Sequence, residues 1–180
     1  MIPMKEIEVK ILEVDEKIIV KQLLDLGAEK IFDGEMDVIY YDYPDEYFRA
    51  RDKRIRLRKK GDKAEMTYKE KISRGITKIE EEHEIKINDF EIARQILLGM
   101  EMVEIRRYQK DRRSYKLGNM YFEFDFLWEG VPVFMEIEGP TEELVMEWVE
   151  KLGFKKEDAK NWSGSEVLEH YGIAQVKKLI

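Results

Sequence analysis

The chain has 180 residues, 43% of them hydrophobic and 11% aromatic, which is the length of one domain with enough apolar material for a core. Its 32 Lys and Arg against 39 Asp and Glu leave a net charge of −7, the wrong balance for a general nucleic-acid binder. With no cysteine, and with His83 and His170 in unrelated contexts, disulfides, thiol nucleophiles, Cys-ligated zinc and His-based triads drop out, so any chemistry falls to carboxylates, Lys, Arg or Tyr.

The opening MIPMKEIEVKIL carries Glu6 and Glu8 where a signal peptide needs an apolar stretch, and no later segment approaches a membrane span. A soluble cytoplasmic protein is expected. Lys5 to Leu12 alternates, with Ile7, Val9 and Ile11 on one face and Glu6, Glu8 and Lys10 on the other, which predicts a strand. Asp15 can cap a helix bearing Ile18, Ile19, Leu23, Leu24 and Leu26, and Gly27 suits the position past its end. Strands are predicted over Met36 to Tyr43, Arg54 to Lys60, Ala64 to Ile72 and Lys78 to Ile87, separated by turn signals at Pro44-Asp45, Gly61-Asp62 and Gly75. Asn88 or Asp89 then caps a second helix ending at Gly99. Four further strands follow, over Met102 to Gln109, Asp111 to Leu117, Tyr121 to Trp128 and Val133 to Glu138. Thr141 opens a third helix that stops at Gly153, and a last helical stretch near Ser165 to Tyr171 precedes a tail, Ala174 to Ile180, left as helical or frayed.

The segment Glu6-Ile7-Glu8-Val9-Lys10-Ile11 returns as Glu82-His83-Glu84-Ile85-Lys86-Ile87, and each copy is followed by a helix ending in Leu-Gly. The chain reads as a duplicated strand, helix, several-strand unit, and two copies give about eight strands, enough to close a barrel without edges. Positions two apart then sort by sign. Glu6/Glu8, Glu82/Glu84, Glu123/Asp125 and Glu136/Glu138 are acidic pairs, whereas Arg56/Arg58, Lys69/Lys71 and Lys110/Arg112 are basic ones. A solubilising face intermixes signs along each strand. Sorted strands fit a hollow barrel with a polar lumen, an arrangement that is costly unless the charges are paired. A strongly anionic, metal-bound ligand accounts for both sets, since Arg and Lys clamp phosphate oxygens and clustered carboxylates hold Mg²⁺ or Mn²⁺. Seven basic side chains, with Lys10 included, suit a tripolyphosphate group.

The Glu6-x-Glu8-x-Lys10 strand resembles the signature of the CYTH superfamily, the triphosphate tunnel metalloenzymes. The likeness continues in order through Asp37 to Asp42, Arg56-Leu57-Arg58, Thr67-Tyr68-Lys69, Glu82-x-Glu84, Lys110-x-Arg112, Phe124-Asp125, Glu136-Ile137-Glu138 and Ser163 to Leu168. It implies an α+β fold, an eight-stranded antiparallel barrel with helices outside, forming a single domain over 1–180. It further implies an enzyme that hydrolyses inorganic tripolyphosphate, thiamine triphosphate or a nucleoside triphosphate, the alternative being a class IV adenylate cyclase. Glu6, Glu8, Glu136 and Glu138, with Glu82, Glu84 and Asp125, would hold Mg²⁺ or Mn²⁺. Lys10, Arg56, Arg58, Lys69, Lys71, Lys110 and Arg112 would bind the phosphates, the general base being either Lys10 or a metal-activated water.

Two departures stand out: Glu80 where the family often has a basic residue, and a stretch between Asp125 and Glu136 one residue longer than usual. His83, His170, Trp128, Trp148 and Trp162 receive no catalytic role. The expected partner is a small-molecule triphosphate, with no nucleic acid or membrane and a homodimer left open. The competing readings are a non-catalytic polyphosphate or nucleotide binder and a one-sided charged interaction surface.

Overall fold

The computed structural model of the protein describes residues 4–128 and 130–173, so the expected tail at 174–180 lies outside the described residues. In chain order the elements are β1 (Met4–Ile11), α1 (Glu16–Asp25), β2 (Glu29–Asp42), β3 (Lys53–Lys60), β4 (Lys63–Arg74), β5 (Lys78–Ile87) and α2 (Phe90–Gly99). The second half continues with β6 (Val103–Leu117), β7 (Met120–Phe126), β8 (Phe134–Gly139), α3 (Glu142–Lys151), the short β9 (Ala159–Lys160) and α4 (Gly164–His170). The duplication is therefore literal: β1-α1-β2-β3-β4 is repeated as β5-α2-β6-β7-β8.

Each helix starts where a side chain satisfies its free amides. The Asp15 carboxylate accepts from the Lys17 and Ile18 amides, Asp89 from Ile92 and Thr141 from Leu144, while Ser163 and Glu166 form a reciprocal capping box. The strands run in the spatial order β5-β4-β3-β2-β6-β7-β8-β1, and β1 pairs back onto β5, closing an eight-stranded barrel in which neighbours are antiparallel. β9 adds two residues beside Lys10 and Ile11.

Two sequence expectations are corrected. Met102 to Gln109 and Asp111 to Leu117 are one strand, β6, because nothing in Gln109-Lys110-Asp111 turns the chain and β2 pairs along the whole of it, from Asp42 opposite Val103 to Glu29 opposite Lys116. β2 likewise begins at Glu29 rather than Met36; its polar first half is held by backbone pairing to β6 and carries no apolar alternation to announce it.

The apolar cores lie outside the barrel wall. Ile7, Val9 and Ile11 of β1, Phe122 and Phe124 of β7, and Met135 and Ile137 of β8 pack beneath Ile19 and Leu23 of α1 and Val145, Trp148 and Val149 of α3. A smaller cluster sets Ile39, Tyr41 and Leu57 under Leu97 of α2 and Met102. Each fully buried side chain of this kind contributes about 1.5–3 kcal/mol. Burying these outward faces under helices leaves the alternate residues of the same strands pointing inward. Among the described residues no helix is long and apolar enough to cross a membrane.

Candidate active site

The inward faces enclose a cavity of about 910 Å³ lined by charged side chains of both signs. Burial of such groups is tolerable only through pairing, and the lumen is a lattice of ion pairs. The Arg112 guanidinium donates from Nε and Nη2 to the two Asp125 oxygens at 2.5 and 2.6 Å, reaches Glu136 at 2.7 Å and also contacts Glu123. Lys110 donates to the same Asp125 at 2.6 Å. Lys10, only 2% exposed, lies 2.9 Å from Glu8 and 3.0 Å from Glu136. Burial alone would favour neutral Lys10, but Glu136 and Glu8 outweigh it and raise its pKa, holding the ammonium charged.

Arg56 and Arg58 of β3 are less completely matched. Arg58 pairs with Glu65 and, at 3.4 Å, with Glu84. Arg56 reaches Glu82 only at 3.6 Å, and its buried Nε has no hydrogen-bond partner among the described residues. A buried guanidinium donor without a partner is the kind of group a ligand oxygen completes. Lys69 holds Glu6 and lies 2.8 Å from Glu82. Lys71 sits apart at the rim, 35% exposed and 2.5 Å from Asp52.

The carboxylates divide by how many of their oxygens are engaged. Asp125 and Glu136 have both oxygens held by cations. In contrast Glu6 meets Lys69 through Oε2 alone, and Glu8 meets Lys10 and Lys78 through Oε1 alone. Glu138 has no ion-pair partner among the described residues, and burial together with the Glu6 and Glu8 carboxylates pushes it up to about 8. Free carboxylate oxygens on Glu6, Glu8 and Glu138, crowded enough to repel one another, suit a hard divalent cation. As the side chains stand, no three His, Asp or Glu groups among the described residues converge on one point, because several are turned toward lysines.

The sequence gives Arg54 only as the start of a predicted strand, and its motifs do not mark Lys78, Tyr40 or Tyr108 for the site. Tyr40 and Tyr108 stack with ring centroids 6.3 Å apart inside the cavity, and Trp128 meets Tyr108 edge-on at 6.4 Å. Burial opposes ionisation of Tyr40, but Arg56, Arg54 and Lys110 outweigh it and bring the phenol down to about 7. The period of two that turned Ile39 and Tyr41 outward was the available signal for Tyr40. Trp148 is in the outer core as expected, edge-on to Phe122, and His83 points outward beside Glu81.

A closed barrel with helices outside and a lumen of sorted, paired charges defines the tunnel class of enzyme. The chain belongs to the CYTH family: the CYTH domain model matches residues 4–167. It is similar to a Methanocaldococcus jannaschii protein named a putative adenylate cyclase, at 33% identity over 135 residues, 75% of this chain and 77% of that one. Among solved structures it resembles a Pyrococcus horikoshii protein at 28% identity and TM-score 0.74, covering 90% of this chain and 98% of that chain. The fold also matches a Hippeastrum protein reported as a putative adenylyl cyclase with a dominant triphosphatase activity, at 15% identity and TM-score 0.65, over 95% of this chain and 98% of that chain.

Proposed function

We propose that the protein hydrolyses a triphosphate held in its lumen, releasing the terminal phosphate, with inorganic tripolyphosphate as the simplest substrate. The observation that carries this reading is that each sign has an unmatched member in one cavity: the Arg56 Nε on the basic side and Glu138 on the acidic side. A ligand that completes both is an anion carrying a divalent cation.

Arg56, Arg58, Lys69, Lys10, Lys110 and Arg112 would bind the phosphate oxygens and stabilise charge on them as the terminal phosphoryl group transfers. Because Lys10 is held as a cation by Glu8 and Glu136, it suits a phosphate contact better than a proton acceptor. Asp125 and Glu136, with both oxygens engaged, would orient Arg112, Lys110 and Lys10. Glu6, Glu8 and Glu138, with Glu82 beside them, would hold Mg²⁺ or Mn²⁺; when bound, such an ion offsets phosphate charge and acidifies a coordinated water. Tyr40, close enough to Arg56, Arg54 and Lys110 to lose its proton near neutrality, is placed to take a proton inside the cavity. In the overall step water adds at the terminal phosphorus, the bridging P–O bond breaks, and orthophosphate and pyrophosphate leave.

A second reading, adenylate cyclisation, is favoured by the name of the Methanocaldococcus relative. The fold houses proteins named for either activity, so it does not choose between them. Hydrolysis asks only for water at the terminal phosphorus, whereas a cyclase must also seat base and sugar in line with the α-phosphorus. Tripolyphosphate with Mg²⁺ is expected to raise the melting temperature by several degrees, the equivalent of about 2.7 kcal/mol at one hundred times Kd. Orthophosphate should accumulate in the same mixture. Absence of both the shift and the product would remove this function.

A further inference from the structure

Glu80 is a lumen residue to which the reading above gives no task. It lies on the inward face of β5, opposite Glu6 of β1 and Lys71 of β4, and is 1% exposed. Its carboxylate is gripped by the fork of Arg54, with Nη1 to Oε1 at 2.6 Å and Nη2 to Oε2, and Lys78 lies 3.0 Å from Oε2. Both oxygens are therefore engaged, which separates Glu80 from Glu6, Glu8 and Glu138.

Its position along the tunnel is fixed by register. Arg54, Arg56 and Arg58 occupy successive inward positions of β3, and Glu84, Glu82 and Glu80 successive inward positions of β5. Beyond Glu80 comes Lys78, opposite Arg74 of β4, and Arg74 is tied to Glu166 and to the Asn161 carbonyl at the base of α4. Glu80 thus sits on the α4 side of the basic row. Without it, Arg54 would extend the row of phosphate clamps by one cation, Lys78 beyond it being held by Glu8 as well. With it, Arg54 is neutralised in place, and a fixed negative charge meets any phosphate that goes past Arg56.

We propose that Glu80 sets the length of the phosphate chain the lumen accepts: by occupying Arg54 it ends the basic track and restricts the substrate class to chains of three phosphates. This rests on the triphosphate reading of the lumen. A longer chain must either stop short of full insertion or press its extra charge against the Glu80 carboxylate, and a like-charge contact inside a cavity is an effective means of discrimination.

The experiment compares inorganic tripolyphosphate and tetrapolyphosphate, with EDTA present to prevent turnover, and takes Kd from thermal-unfolding titrations. Wild type should bind tetrapolyphosphate no more tightly than tripolyphosphate, despite the extra charge. In Glu80→Gln the ratio of the two affinities should move toward tetrapolyphosphate by about tenfold or more, because the Arg54 fork is released and the opposing charge is gone, while Lys78 stays with Glu8. A merely structural Glu80 would alter stability and leave that ratio where it was. An unchanged ratio, or a wild type that already prefers tetrapolyphosphate tenfold, overturns the assignment of Glu80 while tripolyphosphate binding keeps the lumen reading intact. The wild-type comparison can still overturn the assignment if the variant fails to fold. Binding of neither compound in EDTA, and of neither when Mg²⁺ is restored, would remove both.

Discussion

Glu138→Gln is expected to lower kcat/KM for tripolyphosphate by about two to four orders of magnitude, the equivalent of several kcal/mol of transition-state stabilisation at a metal-assisted site. The substitution keeps the shape and removes the charge. Because Glu138 has no ion-pair partner among the described residues and is repelled by Glu6 and Glu8, the ligand-free variant should melt at the same temperature as wild type or higher. Loss of activity with gain of stability is the signature of a ligand site and the reverse of what a folding defect gives. The pH dependence follows from the same group. Its folded pKa of about 8 lies above the ordinary carboxylate value of 4.5, so its contribution to stability is fully present below about 4.5 and is lost as pH rises through about 8. Glu6 and Glu80 act in the opposite direction. Although burial alone would raise both, lysines outweigh it for Glu6, and Lys78 with Arg54 does so for Glu80, bringing each down to about 2. Their stabilisation is complete above 4.5 and fades as pH falls through about 2. Stabilisation by added Mg²⁺ should therefore grow between pH 6 and 8.5 in wild type as Glu138 gives up its proton, and should lose that slope in Glu138→Gln. A pH slope identical in the two proteins would take Glu138 out of the metal site.

The second large effect separates two arginines that look alike in sequence. Arg56→Ala is expected to reduce kcat/KM by about 10²–10³, the usual cost of one preorganised donor at a developing charge, with little change in the ligand-free melting temperature. Arg112→Ala should instead destabilise the protein by about 3–5 kcal/mol, because Asp125, Glu136 and Glu123 are left buried with less compensation. Urea unfolding of the two variants beside their kinetics makes the comparison. If Arg56→Ala proved the more destabilising, the unmatched Nε would not mark a ligand position.

The barrel was legible because three local signals agreed: the repeated E-x-E-x-K-I, the cap residues Asp15, Asp89 and Thr141, and the alternation that sends Ile7, Val9 and Ile11 one way and Glu6, Glu8 and Lys10 the other. What escaped were properties of neighbours rather than of strands. β6 reads as two strands until β2 is seen pairing along its full length. Tyr40 reads as a strand former until Arg56, Arg54 and Lys110 surround it. The acidic positions are equivalent by spacing, yet cross-strand register gives Asp125 and Glu136 cations on both oxygens and leaves Glu138 with none among the described residues. Spacing assigns a face of a sheet; which charges meet across a tilted barrel is decided by strand order and stagger.

The proposed function of the sorted lumen charges is to hold and hydrolyse a triphosphate. Its most direct test is a single product analysis: purified protein with Mg²⁺ or Mn²⁺, given tripolyphosphate and ATP in separate reactions, with orthophosphate, pyrophosphate and cyclic AMP all quantified. The predicted result is orthophosphate and pyrophosphate in equal amounts from tripolyphosphate, and no cyclic AMP from ATP. Tripolyphosphate left intact while ATP is converted to cyclic AMP and pyrophosphate would contradict it.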